Sequence, residues 1–172
     1  MKDLRLAGTA NQTATATEDQ RWLSPQEERA WRDYRRMRTL LDLQIARDLA
    51  RDSGLSGPDY DVLSTLSESP GRSWRATELA AQLLWSTSRL AHHVGRMQRR
   101  GLVSRDDCAD DGRGATVSLT PSGWAALRAA APPHVASVRR HLVDLLTPAE
   151  VQALATISAK VIERFGGPAA SS

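Results

Sequence analysis

Between positions 86 and 105 the chain carries five arginines, Arg89, Arg96, Arg99, Arg100 and Arg105, and no acidic residue. Leu90, Val94 and Met97 recur there at i, i+4 and i+7, so a helix would turn them inward as one stripe. Its other face would then carry Ser86, Thr87, Ser88, Arg89, His92, Arg96, Arg99 and Arg100. Guanidinium groups fork onto phosphates and guanine edges. A merely solvated helix face mixes acids with bases, so an acid-free face in a chain of net charge only +3 is the footprint of a nucleic-acid groove. His93 sits beside the stripe, and its spacing leaves two places open: packing at the edge of the core, or contact with nucleic acid.

A second group follows at Asp110, Asp111, Gly112, Arg113 and Gly114. An arginine at a hairpin tip can enter a narrow minor groove, and a neighbouring aspartate can hold its guanidinium in place. Asp-Gly is also ordinary turn chemistry, so this loop gains meaning only from the basic helix before it. Other chemistries find little support. His92 and His93 face two directions of one helix. His134 and His141 stand two turns apart with no ligand partner at metal spacing. No HExxH, CxxC or phosphate-loop pattern occurs, and no serine or cysteine has a base and an orienting group signalled beside it. The expectation is no enzyme, no metal and no cofactor. The lone Cys108 excludes an internal disulfide and suits a reducing cytoplasm. Four aspartates around it disfavour a thiolate, so an inert cysteine at the base of the hairpin is favoured over a redox sensor.

The elements that position these groups are also legible. Ser24-Pro25-Gln26-Glu27 is a capping sequence. It opens a long amphipathic helix through Trp31, Tyr34, Met37, Leu40 and Leu41 that ends near Gly54. Ser56-Gly57-Pro58-Asp59 opens a second helix, stopped at Pro70-Gly71, and Trp74 falls in a short extended segment. A third helix is expected over 75–83. Leu84-Trp85-Ser86 then forms the tight turn of a helix-turn-helix, and Ser86 caps the basic helix, which Gly101 terminates. Residues 102–105 and 115–119 read as two strands of a hairpin around a polar loop over 106–114. Thr120-Pro121 opens another helix, which Pro132-Pro133 interrupts or restarts. Thr147-Pro148-Ala149-Glu150 caps the last, with Leu154, Ile157, Val161 and Phe165.

The whole reads as a mainly α protein with a small β-hairpin wing. A single domain over 21–165 holds a DNA-binding lobe at 55–120 and helical dimerisation elements at 21–54 and 121–165. Tails at 1–20 and 166–172 flank it. At 172 residues the chain suits one domain. No apolar run approaches the ~20 residues of a membrane span, and residues 1–20 lack the apolar core of a secretory signal. Of the 23 basic residues 21 are arginine. Composition alone reads equally as nucleic-acid binding or as a GC-rich genome. The terminal helices carry too many apolar residues for arms around a small lobe, which favours burial against a second copy over folding back. Five tryptophans against one phenylalanine suggest an apolar-walled pocket. Trp31, Tyr34, Arg38 and Trp85 are its candidate residues, for a small aromatic or anionic effector.

Taken in order, Thr77-Glu78-Leu79-Ala80, Trp85-Ser86-Thr87-Ser88-Arg89-Leu90, Arg99-Arg100-Gly101-Leu102-Val103, Asp111-Gly112-Arg113-Gly114 and Val117-Ser118-Leu119-Thr120 resemble the MarR family of winged helix-turn-helix regulators. The resemblance spans about residues 22–165. It implies a cytoplasmic homodimer on a palindromic duplex operator, a dimerisation layer from the first and last helices, and a repressor released by a small molecule. It places residues 86–96 on the recognition helix, and Asp111 and Arg113 on the wing. It departs from the family at Thr87, where a basic residue is common. The alternative is a winged-helix module that binds protein rather than DNA.

Overall fold

The computed structural model describes residues 22–107 and 115–166. The expected tails (Gly166 apart), Cys108 and the wing-tip residues Asp110, Asp111 and Arg113 lie outside them. The chain divides into two units, residues 1–37 and 38–172. The first contributes the start of helix α1 (Pro25–Ser53). Ser24 and Glu27 cap it reciprocally at 2.8 and 3.3 Å, and the rings of Trp31 and Tyr34 stack 5.8 Å apart on its exposed surface.

In the second unit α1 gives way to α2 (Gly57–Glu68), β1 (Ser73–Arg75), α3 (Ala76–Gln82), α4 (Thr87–Arg99), β2 (Val103–Asp107), β3 (Ala115–Leu119), α5 (Pro121–His141) and α6 (Pro148–Arg164). Local chemistry fixes most of the starts. Ser56 with Asp59 and Thr147 with Glu150 form capping boxes, and Ser86 and Thr120 accept bonds from the backbones of Arg89 and Gly123. The apolar stripes of α2, α3 and α4 meet in one core built on Val62, Leu63, Leu66, Leu79, Leu90, Val94 and Met97. Val103, Val117, Leu127 and Ala130 close it.

Three features differ from the sequence reading. The hairpin is a three-stranded antiparallel sheet in the order β1-β3-β2, because the extended segment around Trp74 pairs with Val117. β2 continues to Asp107, opposite Ala115, where a loop was expected from 106. A ladder needs only backbone groups, so polar side chains do not end it. Helix α5 runs through Pro132 and Pro133 without a break. It gives up two backbone hydrogen bonds, while buried Leu127 and Ala130 before the prolines and Ser137 after them hold the two halves in register.

Two glycines are required by geometry. Gly101, at φ +71°, ends α4 in the left-handed conformation. A Cβ on Gly123 would collide with the Leu102 carbonyl oxygen, so only glycine lets the first turn of α5 lie against the end of α4. The turn between α3 and α4 uses the same helix-ending device as Gly101, but with leucine. The Trp85 amide donates to Ala80 O at 2.8 Å and the Leu84 amide to Ala81 O at 3.0 Å, with Leu84 at φ +54° and 92% exposed. A left-handed leucine costs roughly 1–2 kcal/mol, which the core contacts on either side sustain.

Candidate nucleic-acid interface

Helix α4 presents two faces. Leu90, Val94 and Met97 are buried, as the spacing requires, and His93 is buried with them, which settles it at the core's edge. Ser86, Thr87, Ser88, Arg89, His92, Arg96, Arg99 and Arg100 are all exposed. Unlike α2, α3 and α6, α4 has no acid in its first turn. Its N-terminal dipole is therefore unopposed by charge and attracts anions. Ser86 satisfies one orphan amide as N-cap, taking the Arg89 N–H at 3.2 Å, and lies 3.2 Å from the Ser88 hydroxyl. Its hydroxyl is thus engaged in building the helix start.

The arginines of this face are not equivalent. Arg89 lays its guanidinium over the Trp85 ring, 4.2 Å from the centroid. Arg96 donates to His93 Nδ1 at 2.7 Å. Arginine has no acceptor, so Nδ1 accepts and the ring proton sits on Nε2. That nitrogen lies 3.0 Å from Asp59 Oδ1. Arg100 turns back into the fold, pairing with Asp59 Oδ2 at 2.7 Å and donating to Gly54 O at 3.1 Å. It belongs to the frame of the helix rather than to its reading face. Asp59 connects the two, for it also accepts the Ser56 amide at 2.9 Å. Burial pushes its carboxyl up, but Ser56 and Arg100 outweigh that and hold it below the usual range. Nothing local in the sequence marks Asp59 as more than a capping residue, since Arg100 is 41 positions away.

On the wing side, Arg105 is exposed on β2. Asp111 and Arg113 lie outside the described residues. Among the described residues, no three His, Cys, Asp or Glu gather as a metal site, and no helix is long and apolar enough to cross a membrane.

The effector candidates fall in both units, Trp31 and Tyr34 in the first and Arg38 and Trp85 in the second. Trp31 and Tyr34 belong to the first unit, stacked on each other. In the second unit a cavity of about 590 Å³ opens among α1, α2, the α3–α4 turn and α5, lined by Asp42, Tyr60, Asp61, Leu83, Leu84 and His134 among others. Neither Arg38 nor Trp85 lines it. The Trp85 ring lies beneath the Arg89 guanidinium and stands at 84° to the His93 ring, 5.4 Å away. Burial raises the Asp61 carboxyl, with His134 and Arg89 pulling against it. The rings of Tyr60 and His134 lie 4.3 Å apart.

The MarR family pattern matches residues 53–114, from the end of α1 to the residue before β3. The fold superposes on AbsC, a MarR family transcriptional regulator from Streptomyces coelicolor, with a TM-score of 0.79 and 40% sequence identity, over 86% of this chain and 99% of that one. The chain belongs to the MarR family. A second MarR family transcriptional regulator from Streptomyces coelicolor, Sco3205, solved in complex with DNA, is 41% identical over 86% of this chain and 92% of its own, at a TM-score of 0.80. The transcriptional regulator HosA of Escherichia coli is 34% identical over 99 residues, 58% of this chain and 72% of its own length. The MarR pattern thus spans both the helix-turn-helix and the basic face of α4.

Proposed function

We propose that this MarR family member binds duplex DNA as a homodimer and represses transcription, with α4 in the major groove and the wing, through Asp111 and Arg113, at the minor groove. The observation that carries this reading is the acid-free, exposed face of α4, whose first turn offers Thr87, Ser88 and Arg89 beside an unopposed helix N-terminus. The DNA complex of the 41% identical Sco3205 supports it. The experiment is a gel shift on the region upstream of the chain's own gene, with salt titrated. The expected affinity falls steeply with salt, by a log–log slope of about −0.9 for each phosphate neutralised. If no genomic duplex binds at low salt, the chain is a protein-binding winged helix instead.

A second copy is supported by α6 and its C-cap, which expose Ile157, Val161 and, at 84%, Phe165. Apolar residues in such a row ordinarily mark an interface. Two helices α4 related by a twofold axis read half-sites about 10 base pairs apart. A protected footprint of one asymmetric half-site would contradict this.

The reading includes control by a small effector in the cytoplasm. The cavity bounded by Tyr60 and His134 supports an aromatic ligand. Its carboxylates, Asp42 and Asp61, disfavour the anionic class that the sequence left open. Thermal shift with the size-matched pair 1-naphthylmethylamine and 1-naphthoate tests the point: the amine is expected to stabilise more, and preference for the acid would reverse the assignment.

A further inference from the structure

We propose that Trp85 is a specificity-determining positioning residue, which holds the Arg89 guanidinium over its indole face so that the donor fork meets the major groove already placed. The proposal deepens the DNA-binding reading and rests on it.

Among Thr87, Ser88, Arg89 and Leu90, the residues of the first turn of α4, only Arg89 has a fork of donors. Guanine presents N7 and O6 to the major groove as a pair of acceptors, which a fork meets with two parallel bonds. Such a match requires the guanidinium plane to lie near the base plane. A free, exposed arginine samples many rotamers and must give them up on binding. Here the place of the guanidinium is restricted beforehand by the ring beneath it. The guanidinium carbon stands 4.2 Å above the Trp85 ring. A cation held over an aromatic face needs no N–H donor for that contact, so the donors stay available to other partners.

The platform itself is fixed from below. The Trp85 amide is tied to Ala80 O at 2.8 Å through the left-handed turn at Leu84. The Trp85 ring meets His93 edge-on. His93 is buried between Asp59, 3.0 Å from Nε2, and Arg96, 2.7 Å from Nδ1. Asp59 belongs to α2, so the orientation of Arg89 is referred through Trp85 and His93 to the rigid core rather than to α4 alone. This accounts for a large, half-buried aromatic residue in a turn that spacing requires only to be short.

The test is a binding-preference measurement. Duplexes selected from a randomised library on the unaltered protein supply the operator, and each base pair of one half-site is then varied. Arg89→Ala is expected to flatten preference at one position by about tenfold or more. Trp85→Ala is expected to flatten the same position by about three- to fivefold, the fold-change matching an exposed cation–π contact. Affinity for non-operator duplex and the salt slope stay unchanged. Trp85→Phe keeps most of the preference because a ring face remains. In an Arg89→Ala background, Trp85→Ala adds nothing at that position. The proposal is overturned if Trp85→Ala weakens all duplexes equally, if it acts at a different base pair, or if the two losses add. If Trp85→Ala fails to fold, Trp85→Phe against Trp85→Leu decides: equal preference in those two variants overturns the proposal. Failure of the unaltered protein to select any duplex sinks the DNA-binding reading itself, a distinct outcome.

Discussion

Asp48 and Asp59 are both sealed from solvent, at 2% and 4% exposure, and each faces a histidine and arginine, yet they are held in different ways. Asp48, on α1, accepts from Ser137 Oγ at 2.7 Å, His141 Nε2 at 2.9 Å and Arg140 at 3.4 Å on α5, with Gln44 and Arg51 of its own helix completing the set. The Ser137 and His141 hydrogen bonds outweigh burial and hold its carboxyl well below the usual range. For Asp59 burial is the largest single influence and acts upward, so its charge survives only through Ser56 and Arg100. The Asp48 cluster clamps two long helices together and has donors to spare. The Asp59 cluster joins α2 to the reading helix with a narrower margin. A buried charge is tolerated where hydrogen bonds exceed the desolvation penalty, and α4 is held by the more finely balanced of the two.

The largest effect expected from this contrast is at Asp59. Asp59→Ala removes a capping box and the partner of Arg100, and should cost about 2–4 kcal/mol in urea unfolding, discounted because Arg100 can return to water. It should also blunt base preference, because the carboxylate 3.0 Å from His93 Nε2, below Trp85, is gone. Asp48→Ala should destabilise as well, but leave base preference among duplexes unchanged. Equal loss of preference in the two variants would erase the contrast.

A smaller effect separates the neighbouring arginines at the end of α4. Arg100→Ala should lower stability by about 1–2 kcal/mol through loss of its bonds to Asp59 and Gly54. Arg99→Ala, on the exposed side, should leave stability within about 0.5 kcal/mol and reduce the salt slope of DNA binding by about one. The converse pattern, with Arg99 structural and Arg100 on the phosphates, would mean that α4 is rotated in the complex.

What was legible in the sequence follows the reach of the interactions. Caps act within three residues, so the starts of α1, α2, α4 and α6 could be read from Ser24, Ser56, Ser86 and Thr147. The stripe of Leu90, Val94 and Met97 is a matter of helical period. The acid-free face came with it, and the family resemblance rested on those same stretches. The clusters around Asp48 and Asp59 could not be read, because His141 stands 93 positions from Asp48 and Arg100 stands 41 from Asp59. His93 was ambiguous for the same reason: its place depends on an aspartate in another helix. Composition alone offers Trp85 to a pocket and does not show the contact with Arg89, one helical turn away. That pairing was within reach of spacing alone, since residues four apart on a helix face one another. It was missed because Trp85 lies before the helix start.

The smallest expected effect is in pH, and its sign follows from His93. Burial pushes this imidazole below its ordinary value; Asp59 pulls it up, and Arg96 and Arg89 push it further down. The unfolded chain takes up its proton as pH falls through about 6.5, while the folded chain takes it up only at lower pH. Folded stability should therefore be fully present above that value and decline as pH drops below it. The depressed carboxyls of Asp59 and Asp48 act in the same direction but lower down: their stabilisation is present above about pH 4 and is lost as pH falls further. A series of urea melts from pH 7 to 5 should thus show a gradual loss in the unaltered protein and a flatter profile in His93→Gln. An identical slope in the two would mean that His93 does not carry the effect. The same protonation reaches the interface, because a proton on Nδ1 would face the Arg96 guanidinium that now donates to it at 2.7 Å. Two donors cannot share that contact, so acid should free Arg96 from the histidine before the fold is lost.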